Sequence, residues 1–171
     1  MDPNTDTPPW GPATPGISVS LWFDDQAEQA WELYSSLFPG AELQSIDRYG
    51  PDEMGPEGQV RSMGFTLMGL GFMAINGGPL YRFTPAISLV VPCDTQDEID
   101  RLWDGLLADG GRESQCGWLE DRFGLSWQIV PRRLGEWIGH PDPEAAQRAT
   151  QAMLQMVKLD IAALEAAVAG T

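Results

Sequence analysis

The chain spells one order of elements twice, and that repetition limits its fold more than any other feature. "ISVSLWF", beginning at Ile17, alternates apolar and small polar residues as a half-buried strand does. A helical stripe follows at once. Ala27, Ala30, Trp31, Tyr34, Leu37 and Phe38 share one face, and Asp25 with Glu28 three positions later has the form of a capping box. "PG" at 39–40 ends this helix, and strands are expected at 41–49, 59–68 and 71–76, the last two joined by the tight "MGLG" turn. From Pro85 the order begins again. "AISLVVP" reads as a strand, Thr95 and Glu98 repeat the capping signature, and Ile99, Leu102, Trp103, Leu106 and Leu107 form the next stripe before "GG" at 110–111. Strands at 112–119 and 124–131 complete a second βαβββ unit, its helix end about 70 positions beyond that of the first.

Two flanking segments stand apart from this repeat. "MDPNTDTPPWGPATPG" is dense in proline and small polar residues and cannot bury enough apolar surface to offset its ordering entropy, so residues 1–16 are expected to be a disordered tail. At the other end Asp142 and Pro143 occupy cap and first-turn positions. Met153, Met156, Val157, Ile161, Leu164 and Val168 then predict one long C-terminal helix lying on an apolar surface, of its own sheet or of a second chain. The expected organisation is α+β: a domain at 17–131 made of modules 17–80 and 81–131, followed by a helical extension at 132–171.

Charge and cysteine usage narrow the partners. The 25 Asp and Glu residues against 10 Lys and Arg give a formal charge of −15, which repels nucleic-acid phosphates and anionic lipid alike; neither is an expected partner. No apolar run approaches the ~20 residues of a membrane span, and the N-terminus lacks a basic and apolar secretory signal, so a cytoplasmic location is expected. Cys93 and Cys116 are too few for a disulfide framework and read as reduced thiols.

Four separated blocks, "LWFDDQAEQAWELYSSLFPGA", "FMAINGGP" with "FTPAISLVVPC", "QCGWLEDRFGLSWQIVP" and "QAMLQMVKLDIAAL", make the stretch from Ile17 to about Leu164 resemble the PhnB-like family of the vicinal oxygen chelate (glyoxalase/bleomycin resistance/dioxygenase) superfamily. The resemblance implies paired βαβββ modules curling into a cup-shaped mixed sheet with helices outside, a homodimer, and a small-molecule ligand in the cup. Metalloenzymes of that superfamily hold a divalent ion with His, Gln or Glu from four strands. Here the strand around Val19 has no His, Ala74 stands where a Glu is expected, and Ala86 or Ser88 where a His is expected. Only Gln128 matches a ligand position, that of the last-strand Glu, and a lone neutral amide does not compensate the dehydration of such an ion. No metal and no cofactor are expected.

The residue types leave Gln128 open between a ligand anchor in an apolar cup and a core amide hydrogen-bonded within the fold. Asn76, in alternation with Ala74, is expected to point into the cup or else to serve the turn at "NGG"; Trp22 and Ser88 complete the candidate ligand-binding set with Gln128 and Asn76. "GLG" at 69–71 sits between strands with no helix behind it, so it is no phosphate loop, and the demethylubiquinone methyltransferase label that proteins of this kind carry finds no support. The single His140 lies in a "GHPDP" loop with no reason to stand near Ser126 or Cys116 as a base. The expected function is binding, with sequestration or resistance as its purpose. The alternatives are a lyase, isomerase or dioxygenase of the same superfamily, a metal-free catalyst using Gln128, Asn76 and an acid such as Asp47, or an interaction protein acting through its C-terminal helix.

Overall fold

A computed structural model describes residues 17–171, so the expected tail at 1–16 lies outside the described residues. The chain divides into two compact units, one ending at Arg82 and the other beginning at Phe83. Each carries an open four-stranded mixed sheet.

The first unit runs β1 (Val19–Phe23), α1 (Ala27–Leu37), β2 (Glu42–Arg48), β3 (Val60–Leu67) and β4 (Leu70–Asn76), in sheet order β1-β4-β3-β2. β1 is parallel to β4 and the other pairs are antiparallel. The register puts Leu21 beside Ala74, Phe72 beside Phe65 and Met63 beside Ala74, all buried, under α1; Trp31 of the helix meets Phe65 at 5.2 Å between ring centroids. The "MGLG" hairpin turns on Met68 (φ 49°) and Gly69 (φ 83°), two successive left-handed residues as a two-residue hairpin needs.

The start of α1 differs from the expected capping box. Its N-cap is Gln26, with no side-chain cap hydrogen bond. A residue 49 positions away does the work instead: the Ala27 N–H donates to Asn76 Oδ1 (2.9 Å), and Asn76 Nδ2 donates to the Val60 carbonyl (2.9 Å). One amide thereby satisfies an orphan donor of the helix and ties it to two strands.

The second unit runs β5 (Ser88–Cys93), α2 (Gln96–Leu107), β6 (Arg112–Glu113), β7 (Trp118–Glu120) and β8 (Ser126–Pro131), in order β5-β8-β7-β6. Here the local cap signal holds: the Glu98 N–H donates to Thr95 Oγ1 at 3.2 Å. Ile99, Leu102, Trp103 and Leu106 are buried as the stripe requires, and Leu107 at its edge is half-buried. The expected strand at 112–119 is two short strands, because Cys116 (φ 58°) and Gly117 (φ 83°) turn the chain between them. Glu120 and Asp121 diverge, as adjacent residues on extended chain do. Glu120 pairs with Arg112, whereas Asp121 is 3% exposed and accepts from the Phe123 and Leu125 N–H groups and from Trp127 Nε1.

After a short α3 (Leu134–Ile138), the expected long C-terminal helix is two helices, α4 (Pro143–Gln155) and α5 (Ile161–Ala169), all within the second unit. Asp142 caps α4 as expected, and Asp160 begins α5 by accepting from the Ala163 N–H. Between them, extended residues form a strap against the β7 end of the sheet: the Cys116 and Gly117 N–H groups donate to the Met156 and Val157 carbonyls, both at 2.8 Å. Gln96 binds the backbone of Leu159 and Ile161, and Lys158 reaches Asp100 at 2.8 Å. Trp137, Ala149, Leu159 and Leu164 form the core of this extension.

Cys93 is 1% exposed, and burial pushes its thiol up to about 12. A raised pKa leaves it protonated and weakly nucleophilic at pH 8. Iodoacetamide labelling followed by peptide mapping should therefore find Cys93 unmodified in native protein and modified in denaturant. Native labelling at the rate of a free thiol would contradict its burial.

Candidate functional site

Alternation along the strands decides what each open sheet face presents. In the second unit Leu119, Trp127, Ile129, Val91 and Cys93 are buried on the α2 side. The opposite face therefore carries Ser126, Gln128 and Val130 of β8, Ser88 and Val90 of β5, and Trp118 and Glu120 of β7. Gln128 stands at its centre, in register with Val90 on one side and Trp118 on the other.

Gln128 is half-buried, and its Nε2 donates to Ser88 Oγ at 2.8 Å. The two site residues expected on this unit are thus brought together. Ser88 takes one of the two N–H groups of the amide, which keeps its carbonyl and the other N–H, and Ser88, accepting that bond, keeps its own proton to donate. Ser126, in register with both Ser88 and Glu120, is 1% exposed, and its Oγ has no hydrogen-bond partner. Val130, two residues past Gln128 on the same face, packs on the apolar core of the extension, which therefore walls one end of the patch.

The two candidates of the first unit separate. Trp22 is opposite Ile75, on the face away from α1; its Nε1 donates to the Gly78 carbonyl at 2.9 Å and Tyr81 meets it edge-on at 5.1 Å. Gly77 of "NGG" is explained by this indole, since a Cβ there would lie 2.1 Å from the Trp22 ring. Asn76 does alternate in phase with Ala74, but that face lies under α1, and both ends of its amide are held by Ala27 and Val60. Those two bonds make it the anchor of the start of α1. The left-handed turn of "NGG" falls on Gly78 (φ 82°).

Ser126, Trp118 and Glu120 share this face without belonging to the candidate set expected from the sequence. Ser126 was within reach, being two residues from Gln128 on one strand. Trp118 and Glu120 needed the β7–β8 register. Of the remaining chemical candidates, Asp47 is held by Arg61 at 2.7 Å, and His140 accepts from the Asp142 N–H through Nδ1. Cys116 lies in the turn beneath the strap.

The donor set on these faces does not suit the divalent ion of the superfamily's metalloenzymes. Among the described residues no three His, Cys, Asp or Glu side chains converge to hold a metal. Hydroxyls and one neutral amide are weak ligands for such cations.

The sequence model of a family described as 3-demethylubiquinone-9 3-methyltransferase matches residues 15–130. Among solved structures, a PhnB protein from Bacillus cereus bearing the same description is 38% identical, covers 67% of this chain and 98% of its own, and superposes with a TM-score of 0.63. A protein from Pseudomonas aeruginosa shares the fold at 21% identity, with 69% of this chain and 98% of that one covered and a TM-score of 0.57. No curated protein matches the chain. The extension that walls the Gln128 face lies beyond the family match, which ends at the face itself. On that match and the Bacillus cereus relative, the chain belongs to the PhnB-like family of the vicinal oxygen chelate superfamily.

Proposed function

We propose that the open face of the second unit binds a small apolar or aromatic molecule and holds it without transforming it, as a sequestering or resistance protein does. The observation that carries this reading is the Gln128–Ser88 pair: an amide fixed by one bond with its carbonyl free, flanked by Val90 and Trp118, beside a buried hydroxyl that has no partner. A few fixed polar groups in apolar surroundings are what small-molecule sites are made of. Trp22 is proposed to present a flat surface of the same kind on the first unit. A homodimer and a cytoplasmic location are part of the proposal; sedimentation of the purified chain tests the former.

Methyl transfer is not extended from the family's description to this chain. The stretch most like a cofactor loop, Gly69 to Gly71, closes the β3–β4 hairpin rather than leading into a helix.

Gln128→Ala separates the two roles left open for that residue. With an aromatic library in a thermal-shift screen, compounds that stabilise the parent should lose at least about tenfold in affinity for the variant, while the variant's own stability changes by less than about 1 kcal/mol. A stability loss above about 2 kcal/mol with ligand affinity unchanged would establish the amide as a core residue instead.

A further inference from the structure

The ligand class of this face follows from which of its polar atoms are already committed, an inference that rests on the binding role proposed above. Gln128 has used one of its two N–H groups on Ser88, so what it still offers is a carbonyl oxygen and a single N–H. Glu120 is on the same face, in register with Ser126, and its pairing with Arg112 is lopsided: the carboxylate side chain is 27% exposed and the guanidinium side chain 77%. The negative half is the one built into the sheet; the positive half stands in solvent, where screening is strongest. The Ser126 hydroxyl, 1% exposed and without a partner, lies between Ser88 and Glu120 in register and marks the place where a polar group is wanting.

The fixed groups are thus an amide with its carbonyl and one N–H uncommitted, a carboxylate and two hydroxyls: acceptor sites outnumber donors, and no cation is held inward. Trp118 and Val90 flank them with apolar surface. An anion would be desolvated against Glu120 and would approach a chain of formal charge −15, so it is opposed at both short and long range. A ligand with N–H donors on a flat ring has the opposite balance. It can stack on the indole, donate to Gln128 Oε1 and Glu120, and give Ser126 its missing partner.

We infer that this face selects flat organic compounds that present N–H donors and carry no negative charge, with cationic amidines and amines preferred over neutral amides. Benzamidine, benzamide and benzoate differ in charge and donors on one ring and serve as probes by calorimetry. Benzamidine should bind at least about tenfold more tightly than benzoate, with benzamide between them. Glu120→Gln should lower benzamidine affinity about fivefold or more and leave benzamide unchanged; Gln128→Glu should raise benzamidine affinity, and circular dichroism checks that both variants fold. Benzoate binding as tightly as benzamidine, or benzamidine indifferent to both substitutions, overturns the charge selection. If benzamide then still binds and depends on Gln128, the binding role itself survives. No saturable binding of any of the three up to about 10 mM overturns both.

Discussion

Deleting residues 156–171 is expected to unfold the second unit rather than to trim it. The segment removes Leu159 and Leu164, both 0% exposed, and uncovers Trp137 and Ala149, which share their core. Each fully buried leucine contributes about 2–3 kcal/mol of burial, and uncovering the large Trp137 ring adds to that. The Cys116 and Gly117 N–H groups lose their acceptors as well. The sum exceeds about 5 kcal/mol, as much as the whole stability of many domains. Urea unfolding followed by near-ultraviolet circular dichroism should show the tryptophan signals of this unit lost at zero urea. A cooperative transition at the parent midpoint would mean that the extension is an appendage. Gly117→Ala attacks the same seam more gently: its Cβ would stand 2.7 Å from the Ile129 carbonyl and 3.0 Å from Leu159, at a φ of 83°. The seam should also respond to acid. The Lys158 ammonium, hydrogen-bonded to Asp100, holds that carboxyl below its ordinary range. A depressed pKa gives stability that is present above the unfolded carboxylate value of ~3.9 and lost as pH falls through the folded one.

Asp121→Ala is the second substitution expected to be severe, at about 3–5 kcal/mol. Three donors converge on this carboxylate: the Phe123 and Leu125 N–H groups on Oδ1 and Trp127 Nε1 on Oδ2. With Asp121 3% and Trp127 2% exposed, alanine leaves those donors with little access to water, each at about 1–3 kcal/mol. Asp121→Asn should cost less, since its carbonyl can keep the two turn amides while its NH2 opposes the indole N–H. Equal losses for the two variants in denaturant titrations would show that the charge, and not the acceptor geometry, holds the turn.

What could be read from the chain beforehand follows the range of the interactions. The stripe of α2 and its Thr95 cap lie within one stretch of sequence, and both hold. The cap of α1 comes from Asn76, 49 residues on, so no local pattern near Asp25 reveals it. The alternation that ties Asn76 to Ala74 was sound; which face it named depended on where α1 packs. The break between α4 and α5 was hidden by an apolar stripe that runs through it, although Asp160 is a cap residue and Val157 a poor helix former. At the candidate site, Gln128 and Ser88 were legible as unusual polar residues in apolar strands. Their mutual bond was not, because it depends on the β5–β8 pairing.

The strap also sets an order of events during synthesis. It docks on residues made roughly 40 positions earlier, from Val157 back to Gly117, so β7 and β8 can leave the ribosome long before their edge is closed. Until then Gly117 offers an unpaired N–H on its outer side, the kind of open edge that recruits other chains. The second unit should therefore mature late, and a nonsense codon between α4 and α5 would release an aggregation-prone chain that already contains a finished first unit.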